Sequence, residues 1–133
     1  MTVAGISAAT NDIHSKESFY VRASACRLMP SALMTLRIVS DTVLVSAVSA
    51  WEMTVKMSLG KLRFDGGIAD AVEACGFERL DMRFEHAEAV RSLPSHHSDP
   101  FDRLLIAQAI VEGATFVTHD RAIANYLIPT LWI

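Results

Sequence analysis

The strongest structural signal in the sequence is the stretch from Asp99 to Gln108, which reads Asp-Pro-Phe-Asp-Arg-Leu-Leu-Ile-Ala-Gln. Asp99 is predicted to cap a helix that begins at Pro100, because proline has a helical φ and lacks the N–H that this position leaves unpaired. The apolar residues that follow leave little polar face, so we expect a mostly buried helix. Asp102 adds a second carboxylate to the first turn. The two acids either cap the helix, which stabilises it by about 0.3–1 kcal/mol, or face a ligand.

Short apolar runs alternate with helical patterns over the rest of the chain. Strands are predicted at Val43–Ala47, Phe77–Leu80, Ala114–Thr118 and Thr130–Ile133, and helices at Ser31–Ile38, Ser49–Met57 (ended by Gly60), Ile68–Cys75, Phe84–Leu93, from Pro100 to a stop at Gly113, and Arg121–Tyr126. Continuous apolar strands that alternate with helices favour an α/β fold with a mainly parallel sheet covered on both faces. Before Asp12 no segment has the pattern of a strand.

Composition and charge narrow the class of protein. The chain has 133 residues, 51% of them hydrophobic, which suits one globular domain over residues 1–133 and argues against disorder. The net charge of −3 argues against a basic nucleic-acid-binding module, but not against an enzyme that binds nucleic acid through a metal ion. No apolar run is long enough to span a membrane, and Cys26 and Cys75 lack zinc-site spacing. We therefore expect buried thiols and a cytoplasmic location.

Four acids are predicted to gather at one edge of the sheet, namely Glu52, Asp99, Asp102 and Asp120. Glu52 and Asp120 follow predicted strands, and ligands of parallel sheets collect outside the carboxyl ends of strands. Crowded carboxylates repel unless a cation lies among them, and oxygen ligands favour Mg²⁺ or Mn²⁺ over zinc. Such an ion can activate water for attack on a phosphodiester.

Each of these residues also has a simpler interpretation. Glu52 fits an exposed acid in a helical turn, and Asp120 fits the N-cap of the short helix that follows it. Arg103 and Arg121, each next to one of the acids, are either salt-bridge partners or contacts for an RNA phosphate. His96 and His97 are interpreted as loop residues, with a role as general base as the lesser alternative.

Taken together, the segments Val45–Met53, Gly60–Leu62, Leu93–Ala109 and Val117–Asp120 resemble bacterial PIN-domain proteins, above all the VapC-like toxins of type II toxin–antitoxin pairs. The resemblance runs from about Asp41 to Ile133. It implies a three-layer α/β/α fold, Mg²⁺-dependent endoribonuclease activity on RNA, a cognate antitoxin and a homodimer. Residue by residue, it implies that Glu52, Asp102 and Asp120 are the second, third and fourth acids of the family, and that Asp99 is a further acid of this subgroup.

The N-terminal third departs from the family pattern. The family begins with a central strand that leads into its first metal-binding acid. In this chain Asp12, within Asn-Asp-Ile-His, is the candidate for that acid, but an apolar strand does not precede it. We therefore expect a missing or degenerate first strand, and hypothesise a frame-shifted, mis-started or degenerate N-terminal third.

These inferences lead to one main prediction and two alternatives. The main prediction is a PIN-like ribonuclease in which Asp102 is the principal metal ligand, with Glu52 and Asp120 binding metal or orienting water. One alternative is a catalytically impaired remnant that only binds the antitoxin. The other is a Mg²⁺-dependent hydrolase of small phosphate esters, which the lack of a Gly-rich phosphate loop disfavours.

Overall fold

The computed structural model describes residues 2–4, 42–118 and 120–132. The strands are β1 (Thr2–Ala4), β2 (Val43–Ser46), β3 (Glu78–Leu80), β4 (Thr115–Thr118) and β5 (Thr130–Trp132). The helices are α1 (Ala47–Ser58), α2 (Ile68–Ala74), α3 (Phe84–Ala89) and α4 (Pro100–Glu112), with 3₁₀ turns at Val90–Ser92 and Arg121–Tyr126. The strands form one sheet in the order β3-β2-β1-β4-β5, and every pairing is parallel. The predicted α/β fold with a parallel sheet is confirmed.

Both faces of the sheet are buried. Successive residues of a strand point to opposite faces, and the neighbours Phe116 and Val117 of β4 are both almost fully buried. Phe116 belongs to the main core cluster together with residues of α1 and α4, whereas Val117 packs on the opposite face with Val43 of β2. Burial on both faces explains why these strands are continuous apolar runs in the sequence.

The centre of the sheet is occupied by β1. Its residue Ala4 pairs with Val45 of β2 on one side and with Val117 of β4 on the other. A first strand is therefore present rather than missing, although no segment before Asp12 has the sequence pattern of a strand. Three residues are too few to produce a recognisable sequence pattern, and β1 takes its extended form from backbone pairing with two neighbours.

Helix α4 follows the prediction closely. The Asp99 side chain accepts a hydrogen bond from the N–H of Phe101 (2.8 Å), and Pro100 is the first helical residue. The helix ends at Gly113, whose φ of 62° is in the left-handed region that glycine adopts without strain. The middle of α4 is buried against β4, while Ile110 near its C-terminus is half exposed. The core is therefore built around the helix whose first turn carries the acids.

Some predicted boundaries differ from the structure. Helix α1 is capped by Ser46 rather than Ser49, because the Ser46 hydroxyl accepts the N–H of Val48 directly after β2. The predicted helix Phe84–Leu93 is split into α3 and a 3₁₀ turn, and Arg121–Tyr126 is a 3₁₀ helix.

Other sequence inferences have mixed outcomes. Cys75 is a buried thiol, as expected. Asp12, Cys26 and the predicted helix Ser31–Ile38 lie outside the described residues. Among the helices described, none has the length and apolar character needed to cross a bilayer.

Candidate metal centre

The candidate centre lies at the carboxyl edge of the sheet, between β1 and β4. The strand order reverses at this point, because β1 is followed in sequence by β2 on one side but borders β4 on the other. Such switch points are where open parallel sheets bind ligands. Asp120 follows β4, and α4 runs into the start of β4, so the N-terminal turn of α4 lies at the same edge. The topology thus brings Asp102 and Asp120 together.

Three side chains converge at this edge: His97, Asp102 and Asp120. One ligand atom from each lies within 4.8 Å of the other two. The Nε2 atom of His97 is 3.1 Å from Oδ2 of Asp120 and 3.4 Å from Oδ2 of Asp102. The Asp102 side chain is 5% exposed and that of Asp120 is 24% exposed, so the pair is accessible mainly from the Asp120 side.

The carboxylate of Asp120 has two separate roles in the structure. Its Oδ1 atom accepts the N–H of Ala122 (2.9 Å) and so caps the 3₁₀ helix, as the simpler interpretation of this residue proposed. The Asp120 N–H donates to the Thr118 hydroxyl at the end of β4 (3.0 Å). These contacts fix the side chain so that Oδ2 faces the cluster. Capping and cluster formation are therefore compatible in one residue.

His97 is held from three directions. Its backbone N–H donates to the Tyr126 hydroxyl (2.9 Å), and its Nδ1 atom accepts the N–H of Asp99 (3.1 Å). The neighbouring ring of His96 packs edge-on against Tyr126 at 5.2 Å. The loop before α4 therefore presents the Nε2 side of the His97 ring to the two carboxylates.

Arg103 supports the same loop. Its guanidinium donates to the carbonyl oxygens of Pro94 (2.8 Å) and Leu93 (3.3 Å) and to the hydroxyl of Tyr126 (3.3 Å). These contacts hold residues 93–97 and, through Tyr126, the backbone of His97. Arg121 is exposed beside Asp120, where a phosphate can reach it.

Glu52 lies on α1, next to the helix that carries Asp102. The rings of Trp51 and Phe101, which precede the two acids, are in edge contact at 4.8 Å, so α1 packs against the first turn of α4. Glu52 is buried, and its Oε1 atom pairs with Lys56 at 2.6 Å. Its Oε2 atom is also buried and meets no hydrogen-bond partner among the residues described. Glu52 is not part of the 4.8 Å cluster.

The carboxylate of Asp99 is engaged at the helix start. Its Oδ1 atom accepts the N–H groups of Phe101 and Asp102, the latter at 3.4 Å. This is the contact expected from capping alone. Asp99 is also outside the 4.8 Å cluster.

A family comparison identifies the kind of domain. The family model described as PIN domain matches residues 30–126, which is more than half of the chain. The chain belongs to the PIN domain family. The match covers Glu52, Asp99, Asp102 and Asp120, and Asp12 precedes it.

The fold of this PIN domain is similar to two solved toxin–antitoxin complexes. One is VapBC2 from Rickettsia felis bound to a DNA fragment from their promoter, with a TM-score of 0.57 and 15% identity over 84% of this chain and 96% of that chain. The other is a toxin–antitoxin complex from Klebsiella pneumoniae, with a TM-score of 0.56 and 12% identity over 84% of this chain and 93% of that chain. A comparison with curated proteins gives no match.

The residues of this PIN domain suit a hard divalent cation. Two oxygen ligands of one Mg²⁺ ion lie roughly 3–4 Å apart, and one carboxylate oxygen of Asp102 lies within 4.8 Å of one carboxylate oxygen of Asp120. The buried Glu52 Oε2 atom is a further oxygen that lacks a partner among the described residues. Carboxylate oxygens are ligands for Mg²⁺ or Mn²⁺ rather than for zinc.

His97 was not predicted from the sequence to lie at the metal site. The sequence feature that indicates it is the position of a histidine relative to a helix N-cap. A histidine two residues before a helix N-cap can fold back so that Nδ1 accepts the N-cap N–H, which turns Nε2 toward the first helical turn. The second carboxylate of that turn, Asp102, is then within its reach.

Proposed function

We propose that this PIN domain is a Mg²⁺- or Mn²⁺-dependent endoribonuclease, a VapC-like toxin that a cognate antitoxin restrains. The observation that carries the proposal is that a carboxylate oxygen of Asp102 and one of Asp120 lie within 4.8 Å of each other at the switch of the strand order. Two carboxylates this close repel each other unless a positive group lies between them. The family match and the two toxin–antitoxin complexes of similar fold support the choice of reaction.

In this proposal each residue has a role that follows from its position. Asp102 and Asp120 bind the cation through Oδ2, and the buried Oε2 of Glu52 binds it or orients the attacking water. When bound, a divalent cation lowers the pKa of water and stabilises negative charge on the phosphodiester. Hydrolysis forms a bond from the water oxygen to phosphorus and breaks one phosphorus–oxygen bond to ribose. Arg121, exposed beside Asp120, contacts a phosphate of the RNA.

The proposed partners are an antitoxin and a second copy of the chain. The two solved structures compared above are toxin–antitoxin complexes, which supports a protein partner for this chain. The proposed homodimer rests on the family resemblance. Co-expression with a candidate antitoxin, followed by gel filtration with light scattering, tests both partners.

The experiment that tests the catalytic proposal compares two matched substitutions. With labelled single-stranded RNA and Mg²⁺, Asp102→Asn is expected to reduce cleavage by about 100-fold or more, since a bound cation contributes several kcal/mol of transition-state stabilisation. Asp65→Asn makes the same chemical change at an exposed loop acid and is expected to cleave like the wild type. Calorimetric titration with Mg²⁺ should show saturable binding that only Asp102→Asn removes. Undiminished cleavage by folded Asp102→Asn would contradict the proposal.

One observation favours the second candidate function, an impaired toxin that only binds its antitoxin. Strand β1 ends at Ala4, between the ends of β2 and β4, and the first carboxylate after it in the sequence is Asp12, eight residues further on. If Asp12 does not reach the site, the cation has one carboxylate ligand fewer and binds more weakly. Retained antitoxin binding, with neither Mg²⁺ binding nor cleavage by the wild type, would decide for this candidate.

A further inference from the structure

The His97 ring has one nitrogen turned to the protein backbone and the other turned to the acids. The N–H of Asp99 points at Nδ1 (3.1 Å), so Nδ1 is an acceptor and carries no proton. An imidazole whose Nδ1 is an acceptor carries its proton on Nε2. Nε2–H therefore lies between the Oδ2 atoms of Asp120 (3.1 Å) and Asp102 (3.4 Å).

This arrangement does not suit metal ligation by His97. A histidine that binds a metal through Nε2 needs a lone pair there, and it donates its Nδ1–H to a carboxylate, a carbonyl or water. Here the group that faces Nδ1 is itself a donor, the backbone N–H of Asp99. The loop that holds His97 is fixed by Tyr126 and Arg103, so the ring orientation is built into the fold.

From this geometry we infer that His97 is a positioning residue whose Nε2–H occupies the cation position in the metal-free protein. Its Nε2–H bridges Asp102 and Asp120 in the metal-free protein and must leave them when a divalent cation binds. The inference rests on the proposed metal site and adds that His97 competes with the cation rather than binding it. The bridge holds the two carboxylates at the spacing that a cation needs. It also lowers the affinity for the cation, because the bridge must break before the cation binds.

The test is cation affinity measured by calorimetry with Mg²⁺ and, separately, with Mn²⁺. His97→Ala removes the competing N–H, and the affinity is expected to rise by about tenfold, since a hydrogen bond to a charged group no longer has to be broken. His97→Gln offers an amide N–H in place of Nε2–H and should stay near the wild type. His97→Gln is therefore the matched control at the same position.

The outcomes separate this inference from the proposed function. Weaker or unchanged binding by His97→Ala overturns the inference and leaves the metal site in place. No binding by either the wild type or His97→Ala overturns the site and the inference together, whereas binding by His97→Ala alone supports both.

Nuclear magnetic resonance of the wild-type ring provides a readout that does not depend on a variant's folding. The ¹⁵N shifts should show a proton on Nε2 in the metal-free protein. Addition of Mg²⁺ should make this proton exchange faster with solvent. A proton on Nδ1, with Nε2 bare, would overturn the inference.

Discussion

Two histidines contact helix α4, and their local geometry is almost the same. His97 lies at the N-terminal turn and His86, the third residue of α3, lies against the C-terminal half. In both rings Nδ1 accepts a backbone N–H, from Asp99 at 3.1 Å and from Arg83 at 3.0 Å. In both rings Nε2 faces carboxylate oxygen, and for His86 this is Oε1 of Glu112 at 2.7 Å.

The two ends differ in the balance of donors and acceptors. Glu112 faces the His86 ring and also the guanidinium of Arg83, so one carboxylate has two donor groups. Gln108 extends this network, because its amide lies 3.3 Å from Nδ1 of His86 and its carbonyl accepts the Ser46 hydroxyl. His86 is fully buried within the network. This end of α4 is satisfied by the protein itself.

At the other end, the Nε2 side of His97 faces two carboxylates, and the Asp120 carboxylate also accepts the N–H of Ala122. Asp102 and Asp120 share Nε2 of His97, so among these three groups negative charge is in excess. The comparison shows that histidine geometry alone does not distinguish a structural network from a ligand site. The two ends differ in exposure, because His86 is fully buried whereas the Asp120 side chain is 24% exposed at an edge that a cation can reach.

The largest expected effect is on stability at the satisfied end. His86→Ala leaves a cavity in the packing between α3 and α4 and removes the partner of Glu112 and Gln108, which together should lower the free energy of unfolding by about 3 kcal/mol. Urea unfolding followed by circular dichroism measures this. His96→Ala, at an exposed histidine, should change it by less than about 0.5 kcal/mol. If His86→Ala and His96→Ala change the free energy of unfolding equally, the contacts of His86 do not stabilise the fold.

The fold could be predicted from the sequence wherever the signal is local. Asp99, Pro100 and Gly113 define α4 because caps, proline and glycine act through the backbone of their own segment. Strand β1 could not be predicted, because three residues become a strand only through pairing with β2 and β4. The cap of α1 at Ser46 was missed for a related reason, since the strand passes into the helix without a loop.

Only part of the candidate site could be predicted from the sequence. Asp102 and Asp120 follow from topology, because a helix start and a strand end meet at one edge of a parallel sheet. The Lys56 contact of Glu52 was not foreseen, although the two are four residues apart on α1. The role of His97 depends on the direction in which its ring folds, and the residue that fixes its backbone, Tyr126, is 29 positions away.

A smaller effect is expected at Tyr126, which connects Arg103 to the His97 loop. Tyr126→Phe keeps the packing and removes the acceptor of the His97 N–H and of one Arg103 N–H, so the free energy of unfolding should fall by about 1 kcal/mol. A looser His97 also competes less well for the carboxylates, so cation affinity should rise, but by less than in His97→Ala. Calorimetry on both variants checks the order. A fall in affinity would separate Tyr126 from the positioning of His97.

The smallest effect is expected at Asp99, where capping and metal binding predict different results. Asp99→Ala removes the cap and should lower the free energy of unfolding by about 1 kcal/mol, whereas Asp99→Ser keeps a capping oxygen and should be nearly neutral. Because Asp99 lies outside the 4.8 Å cluster, Asp99→Ser should also leave Mg²⁺ affinity within about twofold of the wild type, well below a tenfold (1.4 kcal/mol) change. A stable Asp99→Ser protein whose Mg²⁺ affinity falls tenfold would make this acid a ligand. Negative charge at the N-terminus of α4 would then be in greater excess, and the contrast with the satisfied end would be larger than the present geometry indicates.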